Sequence, residues 1–341
     1  MRILIAGLGA IGQRHARNLR AILGSHLELL ALRSRRLHHV VTDSLQCDTS
    51  RDVEHDLGAT VFTDLDAAID ARPNAVFVCT PSSCHLAIAQ RAADAGCHLF
   101  IEKPVSHTLE GLDRLRATVA GQRLVAVVGC QWRWHPGVRG VRGLIAADDL
   151  GSLTEARIDY CEYLPDWHPY EDYRTSYAAR ADLGGGVVLT QIHDYDLASW
   201  LFGPHRRVTA SGGHCSDLEI DVEDTVMARL DGGKVAVDIH QTFAGRPPRR
   251  TLRVAGQEGS LSLDLLTGRV ETTPSWQWAH DTLTCEGYPR NNMFKDEAID
   301  FLRAVRGEIA SPTTLEDGIS VLNLALTVKA AMQSGRTEEI A

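Results

Sequence analysis

The sequence predicts two domains of different class: a doubly wound parallel α/β domain over residues 1–122, and an α+β domain with a large antiparallel sheet over residues 123–341. Three observations carry this expectation. The chain has 341 residues, more than the roughly 250–300 at which a single hydrophobic core stops growing. Its first third alternates short apolar runs with helical patterns, the signature of strands joined by crossover helices. Beyond Gly129 the pattern turns to alternating strand-length runs, and all six tryptophans lie there.

In chain order, Ile3–Ala6 reads as a buried strand. The spacing of Ile11, Ala16, Leu19 and Leu23 predicts a helix over Ile11–Leu23. Glu28–Leu32 is a second strand, and Val76–Cys79 and His98–Ile101 are two more. Between these two the Ala-rich stretch Leu86–Ala95 predicts a helix closed by Gly96, a residue type suited to the left-handed position after a helix end. A helix over Leu109–Ala120 and a strand over Leu124–Val128 complete the series. In the second part Leu153–Tyr160, Thr225–Leu230, Lys234–Gln241 and Thr251–Val254 read as strands, with Asp231-Gly232-Gly233 as a hairpin signal.

Composition narrows the function. A formal net charge of −9 argues against a nucleic-acid partner, which calls for a basic footprint. No window approaches the ~18 apolar residues of a membrane span, and glycine at position 7 breaks the N-terminal apolar run too early for a secretory leader. The eight cysteines are scattered without a C-x-x-C pair, which fits reduced thiols and a cytoplasmic protein. The 15 histidines show no H-E-x-x-H or other tight ligand spacing, so no metal site is expected.

The first strand runs into Gly7-Leu8-Gly9-Ala10-Ile11-Gly12, a G-x-G-x-x-G that opens a helix. In that setting the motif predicts a Rossmann domain. Gly7 permits the tight turn, Gly9 lets the backbone approach a pyrophosphate, and Gly12 allows close helix–strand packing. The helix N-terminus, with Ala10 and Ile11, faces the negative charge. Cofactor choice is set where the second strand ends, at Ala31-Leu32-Arg33-Ser34-Arg35-Arg36, which holds no carboxylate. Arg33, Ser34 and Arg35 suit a 2′-phosphate and favour NADP over NAD; a solvated basic loop is the alternative.

Thr80-Pro81-Ser82-Ser83-Cys84-His85 follows one strand and Glu102-Lys103-Pro104 ends the next. Both lie at carboxyl ends, where ligands bind in such sheets. Lys103 can hold a reacting hydroxyl and stabilise an alkoxide.

The ordered set of the glycine motif, Thr80-Pro81…His85, Ala95-Gly96-Cys97-His98, Glu102-Lys103-Pro104 and Gly184-Gly185-Gly186…His193 resembles the Gfo/Idh/MocA oxidoreductase family over essentially the whole chain. The resemblance implies a C-terminal domain built on a large open, mostly antiparallel sheet, and usually a dimer or tetramer. It implies a dinucleotide held by the glycine turn with Thr80, Pro81, His85, Glu102 and Lys103. It makes Lys103 the residue that orients substrate and His193 the general acid/base, a role that suits an imidazole titrating near neutrality. Members of the inositol dehydrogenase type carry an aspartate four residues before this histidine; here that position is Leu189, followed by Thr190. Asp194 either replaces the missing carboxylate or is a first-turn acid of a helix over Tyr195–Leu201.

The segment Tyr163–Arg174 is dense in aromatic and polar groups without a regular period, so it reads as a loop. It suits a carbohydrate, or packs on its own domain. By resemblance to members linked to bacterial surface sugars, Trp167, His168 and Arg174 line or order the pocket. Arg133, in Gln131-Trp132-Arg133, resembles a polar pair that family members place near the substrate, and Thr190 is a further substrate-binding candidate. The leading expectation is an NAD(P)-dependent dehydrogenase or reductase acting on a sugar, sugar acid or nucleotide sugar. A glycosidase using tightly held NAD and a non-enzymatic dinucleotide-binding regulator are the alternatives; the presence of both Lys103 and His193 ranks the regulator last.

Overall fold

The computed structural model describes residues 1–33, 39–274 and 283–340. Ser34 and Arg35, two of the expected cofactor residues, lie outside them. The chain divides into two units, the first comprising Met1–Cys130 and Asn291–Ser320, the second Gln131–Arg290 and Val321–Ala341.

The first unit is built on strands β1 (Arg2–Ala6), β2 (Glu28–Leu32), β5 (Thr60–Phe62), β6 (Ala75–Val78), β7 (His98–Glu102) and β8 (Ala126–Gly129), with β3 (Val40–Val41) and β4 (Cys47–Asp48) forming a small antiparallel pair. The six pair in the order β5-β2-β1-β6-β7-β8, parallel throughout. The order reverses direction between β1 and β6, which makes the carboxyl ends of those two strands the place where a ligand fits such a sheet. Burial explains the continuous apolar runs. Every residue of Ile3–Ala6 and of β6 is fully buried, as expected for a parallel sheet covered on both faces. Helices α1 (Ala10–Leu23), α4 (His85–Asp94) and α5 (Leu112–Gly121) lie within two to three residues of their expected starts and one of their expected ends. Gly96 has the left-handed φ of +81° anticipated for it.

The stretch between β2 and β6, given no elements by periodicity, holds β3 to β5 and two short helices, α2 (Val53–Leu57) and α3 (Leu65–Asp70). Their starts are fixed by the Asp52 and Asp64 carboxylates, which accept from first-turn backbone N–H groups.

The division of the chain differs from the expected boundary at 122. β8 is the sixth strand of the parallel sheet, so the first unit runs on to Cys130. A late helix, α9 (Asn291–Val305; α10 is Leu315–Ser334), returns to it. Phe301 stands edge-on to the stacked Phe77–Phe100 pair at 5.3 and 5.6 Å, and Asn291 exchanges hydrogen bonds with Asn18. Amphipathic spacing reveals such a helix but not which core its apolar face covers.

The second unit carries an eight-stranded sheet of β9 (Leu153–Tyr163), β10 (Arg207–Gly213), β11 (Thr225–Asp231), β12 (Val237–Thr242), β13 (Ala244–Gly256), β14 (Ser260–Asp264), β15 (Val270–Thr273) and β16 (Glu338–Glu339). The order is β15-β14-β13-β9-β12-β11-β10-β16. Only β9 and β12 run parallel; the remaining neighbours are antiparallel. Along β11, Val226, Ala228 and Leu230 are buried while Met227 and Arg229 face outward, the alternation of a sheet with one covered face. α6 (Pro136–Ala147), α7 (Val187–Thr190) and α8 (His193–Phe202) complete the unit.

The glycine turn gives a direct test of packing. A Cβ on Gly12 would lie 1.9 Å from the Gly7 carbonyl oxygen, whereas one on Gly9 meets nothing within 4 Å. Gly12→Ala is expected to lose about 2 kcal/mol or more through overpacking, and Gly9→Ala to leave the thermal midpoint nearly unchanged. Differential scanning calorimetry of the two variants checks this; equal midpoints would contradict it.

Candidate active site

The glycine turn closes tightly on itself. Gly7 adopts φ +100°, and a Cβ there would collide with the Cys79 carbonyl at 2.7 Å, so only glycine lets the turn sit against the end of β6. Gly9 caps α1, no side chain bonds to the cap, and the first turn holds no acidic residue. The first-turn N–H groups of a 14-residue helix therefore stand beside an open position, an arrangement that fits a dinucleotide pyrophosphate. Within α1, His15 turns under the sheet's carboxyl edge. It is fully buried against Phe77, Phe100 and Phe294 and its Nε2 bonds Glu102 at 2.7 Å.

Glu102 is thereby held inside the unit rather than turned outward. Burial works to raise its pKa, but the hydrogen bond and charge of His15, with Lys103 and His85, outweigh it and hold the carboxyl below the usual range. Lys103, next in sequence, is partly exposed at the carboxyl end of β7. His85 is buried and ties the two strand-end segments together: Nε2 meets the Thr80 carbonyl and Nδ1 the Pro104 carbonyl, each at 2.7 Å. Burial lowers its pKa, opposed by those two carbonyls. Thr80, Pro81, His85, Glu102 and Lys103 thus come together around adjacent strand ends, with His85 and Glu102 as internal braces. The Thr80 hydroxyl is buried and has no hydrogen-bond partner.

At the end of β2 the sequence shows no carboxylate, yet the fold brings one. Arg33 is buried and forms an ion pair and hydrogen bond with Glu54 of α2. The guanidinium expected to meet a 2′-phosphate is already matched by a negative charge.

In the second unit, His193 opens α8 and is buried. The turn before it is fixed by Gln241, whose amide donates to the Gln191 carbonyl at 2.7 Å and to the Asp194 carboxylate at 2.8 Å and accepts from the Tyr195 hydroxyl at 2.9 Å. The other Asp194 oxygen takes Arg250 at 2.8 Å. Asp194 is fully buried; it does stand in the first turn of a helix, but its carboxylate faces the sheet. Arg250 lies over the faces of Trp132 and Tyr160, at 4.7 and 5.1 Å. Gln131 Nε2 reaches His193 Nε2 at 3.3 Å.

The expected substrate residues separate. Arg133 is buried in a two-pronged pair with Asp196 at 2.5 to 3.1 Å, so its charge is committed to the helix that carries His193. Arg174 is exposed and gripped by Asp172 and Glu219 at 2.7 and 2.8 Å, which raises its pKa through those hydrogen bonds. Trp167 packs edge-on to Phe243 and Tyr160, and its buried indole N–H has no acceptor. His168 pairs with Glu171 at 2.7 Å and stacks on Tyr170. Thr190 is buried at the end of α7.

Tyr160, Gln241, Arg250 and Glu54 stand in no motif of the sequence. A signal existed for three of them. Tyr160, Gln241 and Arg250 each continue the inward parity of their strands, after Ile158, after Ile239 and before Leu252, and a polar residue at an inward position calls for a partner. Among the described residues no group of three His, Cys, Asp or Glu could hold a metal ion, and no helix is long and apolar enough to cross a membrane.

Comparison with known proteins gives the same architecture. The chain is 28% identical to 1,5-anhydro-D-fructose reductase of Ensifer adhaerens, covering 84% of this chain and 86% of that one. It is 26% identical to UDP-N-acetylglucosamine 3-dehydrogenase of Acidithiobacillus ferrooxidans over 98% of each. The WlbA dehydrogenase of Bordetella pertussis, solved with NADH and UDP-GlcNAcA, shares the fold with a TM-score of 0.81 at 20% identity, over 100% of this chain and 98% of that one. Residues 1–130 match the oxidoreductase family with an NAD-binding Rossmann fold, and residues 138–262 match the GFO/IDH/MocA C-terminal domain. With both domain types present in one chain, and the sheet order and motifs in register with them, this protein is a member of the Gfo/Idh/MocA family of oxidoreductases.

Proposed function

We propose that the protein is an NAD(P)-dependent dehydrogenase or reductase that interconverts a hydroxyl and a keto group on a sugar, sugar acid or nucleotide sugar. The observation that carries this reading is the pairing, on one parallel sheet, of an open glycine turn after β1 with Lys103 at the carboxyl end of β7. The names of the relatives, a sugar reductase and a nucleotide-sugar dehydrogenase among them, support the substrate class.

The dinucleotide, when bound, supplies the hydride acceptor or donor. This chain's residues handle the oxygen and its proton. Lys103 binds the reacting oxygen and stabilises the negative charge that develops there. His193 takes the hydroxyl proton in oxidation and returns it in reduction. Asp194, whose two oxygens are taken by Arg250 and Gln241, we assign to positioning rather than proton transfer. Arg133 acts in the same way through Asp196. Thr190 and the Trp167 indole N–H are the groups we assign to sugar oxygens. His168 and Arg174 order the segment around Trp167.

For the cofactor, the Arg33–Glu54 pair removes the charge argument for a 2′-phosphate and moves our reading to NAD. We further propose a homodimer or homotetramer closed through the outer face of the eight-stranded sheet, where Met227 is 55% exposed.

Three measurements test these points. Lys103→Ala should lower kcat by roughly 100-fold or more while leaving dinucleotide affinity intact, measured by nicotinamide absorbance over a panel of sugars, sugar acids and nucleotide sugars; unchanged turnover removes Lys103 from the reaction. Calorimetry should show NAD bound more tightly than NADP, and Glu54→Gln, by freeing Arg33, should move the ratio toward NADP by about 10-fold, the scale of one charge-assisted contact. A ratio that does not move contradicts the assignment. Light scattering should give a dimer or tetramer mass, and a monomer would refute the proposed assembly.

A further inference from the structure

We propose that Arg290 binds an oxyanion of the substrate, which makes the substrate an acidic sugar, one that carries a carboxylate or a phosphate. The inference rests on the function proposed above and narrows its substrate class.

Arg33, Arg133, Arg174 and Arg250 are each answered by a carboxylate. Arg290, the last residue of the second unit's Gln131–Arg290 segment, differs. Among the described residues it forms no ion pair and no hydrogen bond. Ring packing brings its segment beside Arg250. Tyr288, two residues earlier, stands edge-on to His135 at 5.7 Å, His135 lies against Trp132 at 5.5 Å, and Arg250 lies over Trp132 at 4.7 Å. Arg290 is reachable from solvent. Even so, desolvation, followed by the charge of Arg250, lowers its pKa against the opposing pull of Glu162 and Tyr160. A charged group that solvent reaches but solvates poorly lies in a recess, and a guanidinium there is costly without an anion.

Glu162 does not fill that place. It stands beyond ion-pair distance of Arg290, and its Oε2 accepts from the Tyr160 hydroxyl at 3.1 Å. Arg250 cannot hold the substrate's charge, because Asp194 already takes its own. The donors around Arg250 point to the same kind of ligand. The indole N–H groups of Trp132 and Trp167 and the Nε–H of Arg250 are buried and have no acceptor. Buried donors without acceptors call for a ligand that brings oxygens. The planar fork of a guanidinium matches two oxygens of a carboxylate or a phosphate.

The test uses the full chain with NAD present and measures affinity by calorimetry and kcat/KM by nicotinamide absorbance. Each neutral sugar of the panel is matched with its uronate and with its UDP-linked form, as in glucose, glucuronate and UDP-glucose. An acidic member should bind about 10-fold or more tightly than its neutral match, the scale of a charge-assisted contact. A preference for the uronates assigns the anion as a carboxylate, and a preference for the UDP-linked forms alone assigns it as a phosphate. Arg290→Gln should erase the preference. Arg290→Lys should restore part of it, since the charge returns without the fork. Glu162→Gln should sharpen it by removing an opposing charge. Neutral sugars that turn over as well as their acidic matches, or a preference that survives in Arg290→Gln, overturn the proposal and leave the proposed function standing. Neither binding nor turnover across the whole panel overturns both.

Discussion

The buried ion pair between Asp194 and Arg250 is the constraint around which the second unit is organised. A fully buried carboxylate is tolerated only when it is paired and hydrogen-bonded, and here the partners arrive from the sheet floor. The strand order β13-β9-β12 sets Arg250 opposite Tyr160, and Tyr160 opposite Gln241. These three residues form one row across three strands on the face toward α8. Arg250 and Gln241 bind the two Asp194 oxygens, and the Tyr160 ring supports the guanidinium face. A one-residue slip of any of the three strands would turn its member of the row to the opposite face. The position of His193, one residue before Asp194, thus depends on sheet register established far away in sequence.

The first unit solves a related problem by different means. Its ligand position must stay open, so the polar groups there are braced from beneath. His15 and Glu102 hydrogen-bond each other inside the core, and His85 bridges the segments after β6 and β7 through the Thr80 and Pro104 carbonyls. The braces lie on either side of Lys103 in sequence, which keeps a flexible, partly exposed side chain on a fixed backbone.

Much of this was legible in the sequence, and the limits follow from its physics. Strand β1, the glycine turn and α1 are local: turn chemistry, periodicity and capping act within a few residues, and the fold follows them closely. The carboxyl-end placement of Thr80 and Lys103 follows from strand–helix alternation alone. Glu54 illustrates what was not legible. The basic run after β2 contains no acid, so the sequence favoured a free cluster of positive charge; the carboxylate that pairs Arg33 comes from a helix beginning twenty residues later. Arg133 and Arg174 follow the same pattern, because an arginine reveals its charge in sequence but not the carboxylate that the fold sets against it. The return of α9 to the first unit is likewise a long-range packing choice that no local pattern encodes.

The departure at Leu189 takes on meaning in this setting. The resemblance to inositol dehydrogenase-type members places an aspartate there; in this chain the residue is apolar and buried in α7. The adjacent Asp194 does not substitute for it, since moving that carboxylate away from Arg250 and Gln241 would leave a buried arginine uncompensated, at a cost of about 3–5 kcal/mol.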